Sequence, residues 1–339
     1  MLKNRKVLFA SLLILLSLVI VSWLIFFEYN VRWLEKNIEE VASDLRQKGY
    51  TVAYSKVEIT GNPLFLKIIF QNPHLKDPKG LFDWHGQEMG MAIRPWQPYI
   101  LTCTFPGDQK LGVPQNTPIP LGILQVEGAR ATISLASIGV LEEVAIVVDR
   151  ISSHLKGQLQ PVFLEEISLK VTNLLDPLNL SIFFKANVLN LEKPLNLPPR
   201  DHPFNLKFEG TLAGYQPTVF PKTLAEWRDG GGVIDVNSLK LSWPPLTFDA
   251  NGTLTLDNNM YPLGAFSSRV IGYQDALADL VKLGWVKKKN ASAVSFALDL
   301  FSIPDETGTK QLTIPITLQN KTLSVGPAPL LKLQPIEEF

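Results

Sequence analysis

A single cysteine, Cys103, stands among 339 residues, so neither an intramolecular disulfide nor a multi-cysteine metal cluster can form. Such a lone thiol reads as a small buried hydrophobe. Net charge is missing too, because 32 Lys and Arg balance 32 Asp and Glu. No overall field draws the chain to nucleic acid, which is therefore not an expected partner. Charge is also scarce, at 19% of residues against 46% hydrophobic. That ratio exceeds the need of a solvated globule and implies apolar surface to be hidden.

The usual catalytic signatures are absent. There is no G-x-x-x-x-G-K-[ST], no H-E-x-x-H and no G-x-S-x-G. Gly230-Gly231-Gly232 precedes a strand rather than a helix, so it reads as a turn and not an anion cradle. Asp249 to Asp257 has a calcium-loop flavour, but it lacks the bidentate Glu and carries Leu254 and Leu256 at strand spacing. The histidines His74, His85, His154 and His202 are scattered, with no two at ligand spacing, and no metal is expected. His85 and Glu88 could form a local acid–base pair, yet carboxylates are common enough for that to be coincidence. The sequence predicts no cofactor and no enzyme.

What is present begins with a long apolar run. Residues 1–6 carry Lys3, Arg5 and Lys6, and residues 7–27 contain no charge, proline or glycine. At 1.5 Å per residue that run spans about 31 Å, which matches a bilayer core of roughly 30 Å. It reads as an uncleaved transmembrane helix with a cytoplasmic tail, because no small-x-small site follows it. Trp23, Phe27, Tyr29 and Trp33 cluster at its exit, where aromatic rings suit the headgroup layer. The expected location is a bacterial inner membrane, with the bulk of the chain in the periplasm. Residues 28–49 continue as an amphipathic helix whose stripe is Val31, Leu34, Ile38, Val41 and Leu45. That stripe caps the end of the following domain, or lies along the membrane or a partner helix.

From Tyr50 to the end the period changes to two, and short strands are punctuated by Pro, Gly and Asn. Residues 50–339 read as one mainly β body. Val52–Ile59 and Leu64–Phe70 flank a turn at Thr60–Pro63. Further strands are expected at Ile123–Glu127, Ala131–Leu135, Val144–Asp149, Ile167–Thr172, Leu180–Val188 and Phe204–Leu212. A meander over Gly230–Gly264 has expected turns at Asn237-Ser238, Pro244-Pro245, Asn251-Gly252 and Asp257–Asn259. Phe296, Leu298 and Leu300, then Leu312–Leu318 and Leu323–Val325, extend the sheet. Pro194–Pro203 and Pro114–Pro120 read as loops within it.

Only two short helices are expected in this body. Thr223–Glu226 has capping-box form, and Gln274–Leu283 carries Leu277, Leu280 and Val281 on one face. Lys287-Lys288-Lys289 after Trp285 would then suit the carboxyl end of the second. Two helices cannot cover so many one-sided strands. The apolar face must close on a second sheet, curl on itself or bind something apolar, and the expected fold is a long curved antiparallel sheet, a half-barrel or trough. Its lipid-facing candidates are Phe208, Leu212, Leu241, Trp243, Phe248, Leu254, Leu256, Phe296 and Leu298.

Several phrases, in order, resemble an uncharacterised family of bacterial envelope proteins, domain of unknown function family 2125. They are Val57–Leu66 with Thr60-Gly61-Asn62-Pro63, Trp84, Arg94–Pro98, Trp227–Gly232, Leu239–Leu246, Asn251–Asp257 and Tyr261–Gly264. Asn62 and Pro244 depart from the pattern, both in turns. The resemblance implies architecture rather than a reaction, and the layout is similar to AsmA-like anchored envelope proteins with lipid-holding sheets. The expected role is to bind or handle lipid, phospholipid among them, or another apolar ligand. The alternative is a non-enzymatic scaffold or assembly factor contacting other envelope proteins.

Overall fold

The computed structural model describes residues 17–18, 21–22, 24–25, 28, 31–32, 36–62, 65–94, 96–112, 123–137, 140–153, 162–173, 180–189, 202–214, 223–284, 286–304, 308 and 310–336. Trp23, Phe27, Tyr29 and Trp33, most of 7–27, and the Pro114–Pro120 and Pro194–Pro203 loops (apart from His202 and Pro203) lie outside the described residues. Among the described residues, no helix is long and apolar enough to cross a membrane.

The described elements begin with helix α1 at residues 36–47, which stops at Gly49 with φ of 90°. The strands that follow are β1 (Thr51–Ala53), β2 (Lys56–Asn62), β3 (Phe65–Gln71), β4 (His74–Lys76), β5 (Asp83–Gly86), β6 (Glu88–Arg94), β7 (Gln97–Phe105), β8 (Gln109–Gly112), β9 (Ile123–Glu127) and β10 (Ala129–Ser137). Next come β11 (Val140–Ser153), β12 (Val162–Thr172), β13 (Leu180–Leu189), β14 (Phe204–Ala213), α2 (Leu224–Asp229), β15 (Val233–Trp243), β16 (Leu246–Leu256) and β17 (Pro262–Ile271). The chain finishes with α3 (Tyr273–Lys282), α4 (Lys288–Leu300), β18 (Ser302–Pro304), β19 (Lys310–Gln319), β20 (Thr322–Val325) and β21 (Ala328–Lys332).

All strands join one antiparallel, open sheet. From β10 to β17 each strand pairs with the next in sequence, and β17 passes to β19, β20 and β21. At the other end β10 continues through β7, β6 and β3 to β2. A second wing leaves β11 through β9, β8, β5 and β4 to β1.

The wings arise because five long strands are broken. β1 gives way to β2 at Tyr54-Ser55, β3 to β4 at Asn72-Pro73, β5 to β6 at Gln87, β7 to β8 at Pro106–Asp108, and β9 to β10 at Gly128. Asn72, Gly107 and Gly128 have φ of 49°, 74° and 64°, a left-handed backbone that ends straight pairing. Gln109 is only 2% exposed at this crease. Its Oε1 accepts from Trp84 Nε1 at 3.1 Å, and its Nε2 donates to Glu88 O and Pro106 O, both at 2.9 Å. A buried amide with every group paired fixes the bend instead of weakening it.

The two expected helices are present. Thr223 Oγ1 accepts from Glu226 N at 3.0 Å as the N-cap of α2, and Gly230 ends it. Trp227 is buried and donates to Ala213 O at 3.1 Å, while a side chain at Gly232 would collide with its indole.

Three expectations are corrected. Phe296, Leu298 and Leu300 lie in helix α4 rather than in a strand, so the described body holds three helices. Val294, Phe296, Leu298 and Leu300 alternate like a strand, but Val294 and Leu298 also share a helical face. That face packs on Tyr273, Leu312 and Ile314. In consequence Lys287 caps the amino end of α4, where cations do not suit the helix dipole. Finally, Asn237-Ser238 is a bulge inside β15, and Asn251-Gly252 continues β16 because a side chain at Gly252 would strike Ala265 O of the neighbouring strand.

Candidate apolar binding face

In a registered antiparallel sheet, directly paired residues share a face. Following the pairs therefore traces the surface row by row. One row runs Ala186, Leu206, Leu241, Phe248, Val270 and Leu312. Its neighbour runs Leu169, Phe184, Phe208, Leu239, Ala250, Ser268 and Ile314. A third runs Leu180, Leu212, Ile234, Leu254, Gly264, Leu318 and Leu323. The same face extends toward the amino end through Ile146, Ala131, Cys103, Met91, Ile68 and Ile59. The only hydroxyl in these rows, on Ser268, is buried and donates to Ile314 O at 2.7 Å.

The opposite face carries the charges. Lys170–Glu143, Lys185–Glu166, Lys207–Glu209 and Arg150–Glu165 approach to 3.1, 2.9, 2.7 and 2.8 Å. The bulges at Glu165–Ser168, Glu209–Gly210 and Val236–Leu239 keep the parity of the two faces intact along the strands.

The two ends of the apolar face are covered. At the amino end, α1 and both wings enclose an apolar pocket of about 500 Å³. Ile38, Val41, Ala42 and Leu45 line it from the helix, Val52, Leu75 and Trp84 from one wing, and Leu66, Ile68, Phe70, Met89, Met91, Ile93 and Leu101 from the other. The α1 stripe thus faces the sheet. Glu39 locks it there by accepting from Tyr54 Oη at 2.7 Å and from Arg46 Nη1 at 2.8 Å. These bonds hold the Glu39 carboxyl below its ordinary value, the Tyr54 bond contributing most. At the carboxyl end α3 and α4 cover Leu312 and Ile314.

The strand residues proposed from the sequence do share the face. Phe208, Leu212, Leu241, Phe248 and Leu254 are half-buried on it, and Trp243 and Leu256 are buried at 8% exposure. Trp243 packs edge-on against Phe204 with ring centroids 6.1 Å apart. The two helical residues diverge, since Leu298 is buried against α3 and β19 whereas Phe296 is 68% exposed on the outside of α4. Cys103 lies buried in the face, and burial pushes its thiol up, away from the reactive thiolate.

One local arrangement escaped the linear reading. His74 and His85 are register partners on β4 and β5, and both approach Asp83. Their expected separation is thereby corrected, and Glu88 accepts instead from Gln71 Nε2 at 3.2 Å. Sequence spacing hides such a group because β pairing, not chain distance, brings it together.

No curated protein and no solved structure matches the chain. A family model described as an uncharacterized protein conserved in bacteria (DUF2125) matches residues 31–334. With its one-sided antiparallel sheet, the chain belongs to that family.

Proposed function

We propose that this protein is a non-enzymatic, membrane-anchored envelope protein that binds lipid or another apolar ligand along one face of its sheet. The observation that carries the reading is the unbroken run of apolar rows from β2 to β20, set against charged pairs on the other face. Each methylene moved from water onto such a face contributes about 0.8 kcal/mol, so an acyl chain needs no polar anchor to gain affinity. Large apolar surfaces in soluble proteins mark sites that something else covers. The pocket under α1 falls within the ~300–1,000 Å³ range of small-molecule sites and continues that face. Residues 7–27 hold the protein at a bacterial inner membrane, with the amino terminus cytoplasmic, the body periplasmic and phospholipid at hand. The layout is in this respect like that of AsmA-like proteins, a fold-level analogy.

Site-specific photocrosslinking in the full chain tests the reading. A photoreactive residue at Leu241, Phe248 or Leu254 should label phospholipid or another membrane lipid, whereas one at Lys240 or Lys207 on the charged face should not. Equal labelling of both faces, or none at the apolar positions, sinks the proposal. A second reading, a scaffold for other envelope proteins, is favoured by Phe296, Leu300, Phe301 and Ile303, which are 68%, 69%, 46% and 63% exposed. A crosslinker at Phe296 that captures one defined protein supports it.

A further inference from the structure

The hairpin-like pair β4–β5 places three ligand-type side chains on its polar face. Asp83 and His85 are two apart on β5 and so point the same way, and His74 lies directly opposite His85 on β4. His74 Nε2 is 2.9 Å and His85 Nε2 3.0 Å from the same oxygen, Asp83 Oδ1. The imidazole rings stack with centroids 3.8 Å apart and planes at 16°, and both turn Nε2 toward Asp83 Oδ1. All three ligand atoms lie within 4.8 Å of one another. Ligands bonded at about 2.0–2.1 Å around a tetrahedral centre sit roughly 3.3 Å apart, and the two nitrogen–oxygen separations, 2.9 and 3.0 Å, are near that spacing.

We propose that His74, Asp83 and His85 form a binding site for a divalent transition-metal ion of the zinc class. Two imidazoles and one carboxylate match the three-ligand sets of zinc sites, and nitrogen donors disfavour magnesium and calcium. In the metal-bound form each imidazole is neutral, with Nε2 on the metal and the proton on Nδ1. Lys76 Nζ is 3.6 Å from Asp83 Oδ2, which orients the carboxylate and leaves Oδ1 for the ion. The side chains of His74, Asp83 and His85 are 25%, 37% and 57% exposed, so an ion enters from solvent without opening the fold. The fourth position then faces outward, available to water or to a donor group from elsewhere. Asp83 and His85 alternate with Trp84 along β5 and lie outside the apolar pocket, whereas His74 also borders that pocket beside Leu75, so the metal site adjoins the pocket rim.

The test uses the full chain in detergent, purified without a polyhistidine tag, stripped with chelator and titrated calorimetrically with Zn²⁺. One ion per chain is expected. Loss of groups that merely orient a ligand lowers metal affinity about 10–100-fold, so Asp83→Asn and His85→Ala should each weaken binding by at least about 10-fold. His202→Gln, at an unrelated exposed histidine, should leave it unchanged. Thermal melting of each metal-free variant against the metal-free parent separates loss of ligand from loss of fold. With Co²⁺ as the probe, the parent should give visible absorption of a low-coordinate ion that Asp83→Asn loses. Failure of the parent to take up Zn²⁺, or binding unchanged in both Asp83→Asn and His85→Ala, overturns the proposal.

Discussion

The two ends of the sheet cover their apolar side chains by different means. The amino end breaks five strands and folds a second wing under α1, with Gln109 and Trp84 pinning the crease. The carboxyl end keeps its strands whole and lays α3 and α4 over Leu312 and Ile314. Between them, from β12 to β16, the only helix among the described residues is α2, where Trp227 is tied to Ala213 at the strand end. Phe208, Leu241 and Leu254 are only half-buried there. Leu180, Ala186, Val236, Trp243, Ala250 and Leu256 are nevertheless buried in this middle stretch, so the half-buried side chains among them, and not the whole stretch, are the candidate ligand surface.

The sharpest way to break that contrast is truncation at matched positions. Leu312→Ala, at 1% exposure, should cost about 3–5 kcal/mol in denaturant unfolding of the full chain, because the void cannot collapse. Leu254→Ala should cost about 1–2 kcal/mol, since its side chain leaves water only in part. Equal costs would make the middle an ordinary core and remove the ligand surface. Next in size is the crease. Gln109→Ala strips partners from Trp84 Nε1, Glu88 O and Pro106 O and should lower stability by about 2–3 kcal/mol, visible as a fall in Tm.

Acid should loosen the amino end selectively. The folded Glu39 carboxyl titrates below its ordinary 4.5, so the unfolded chain takes up the proton first as pH drops. Its contribution is complete above that value and disappears as the pH falls through the folded one. Hydrogen-exchange protection of residues 36–47, taken relative to the intrinsic rate at each pH, should therefore fall at low pH, and Tyr54→Phe, which removes the larger bond, should flatten that dependence. The smallest effect belongs to the charged face. Removing Lys207 and Glu209 together should change stability by no more than about 0.5 kcal/mol, because both ions stay hydrated.

Most strands were legible from alternation alone, since a sheet with one dry face writes its period directly into the sequence. Ile123–Glu127 and Phe204–Leu212 are examples, as are the capped α2 and the α3 stripe. The breaks were not. Val52–Ile59 reads as one strand, yet Tyr54 is diverted to Glu39 and Ser55 donates through Oγ to Gln71 O, which splits β1 from β2. Helix α4 was missed because alternate apolar residues within it also satisfy a strand, and only packing on Tyr273 decides. The apolar rows followed from the residues themselves, but their continuity across the sheet depends on the bulges that restore parity. The His74–Asp83–His85 group depends on β4–β5 register and leaves no local mark.

The simple strand order from β10 to β17 has a further implication for descent. Because each hairpin touches only its two neighbours, adding or deleting one would shift the far portion by two interstrand spacings, about 9–10 Å, without remodelling either terminus. Span is thus a quantity that evolution can adjust in discrete increments while the two covered ends remain as inherited modules.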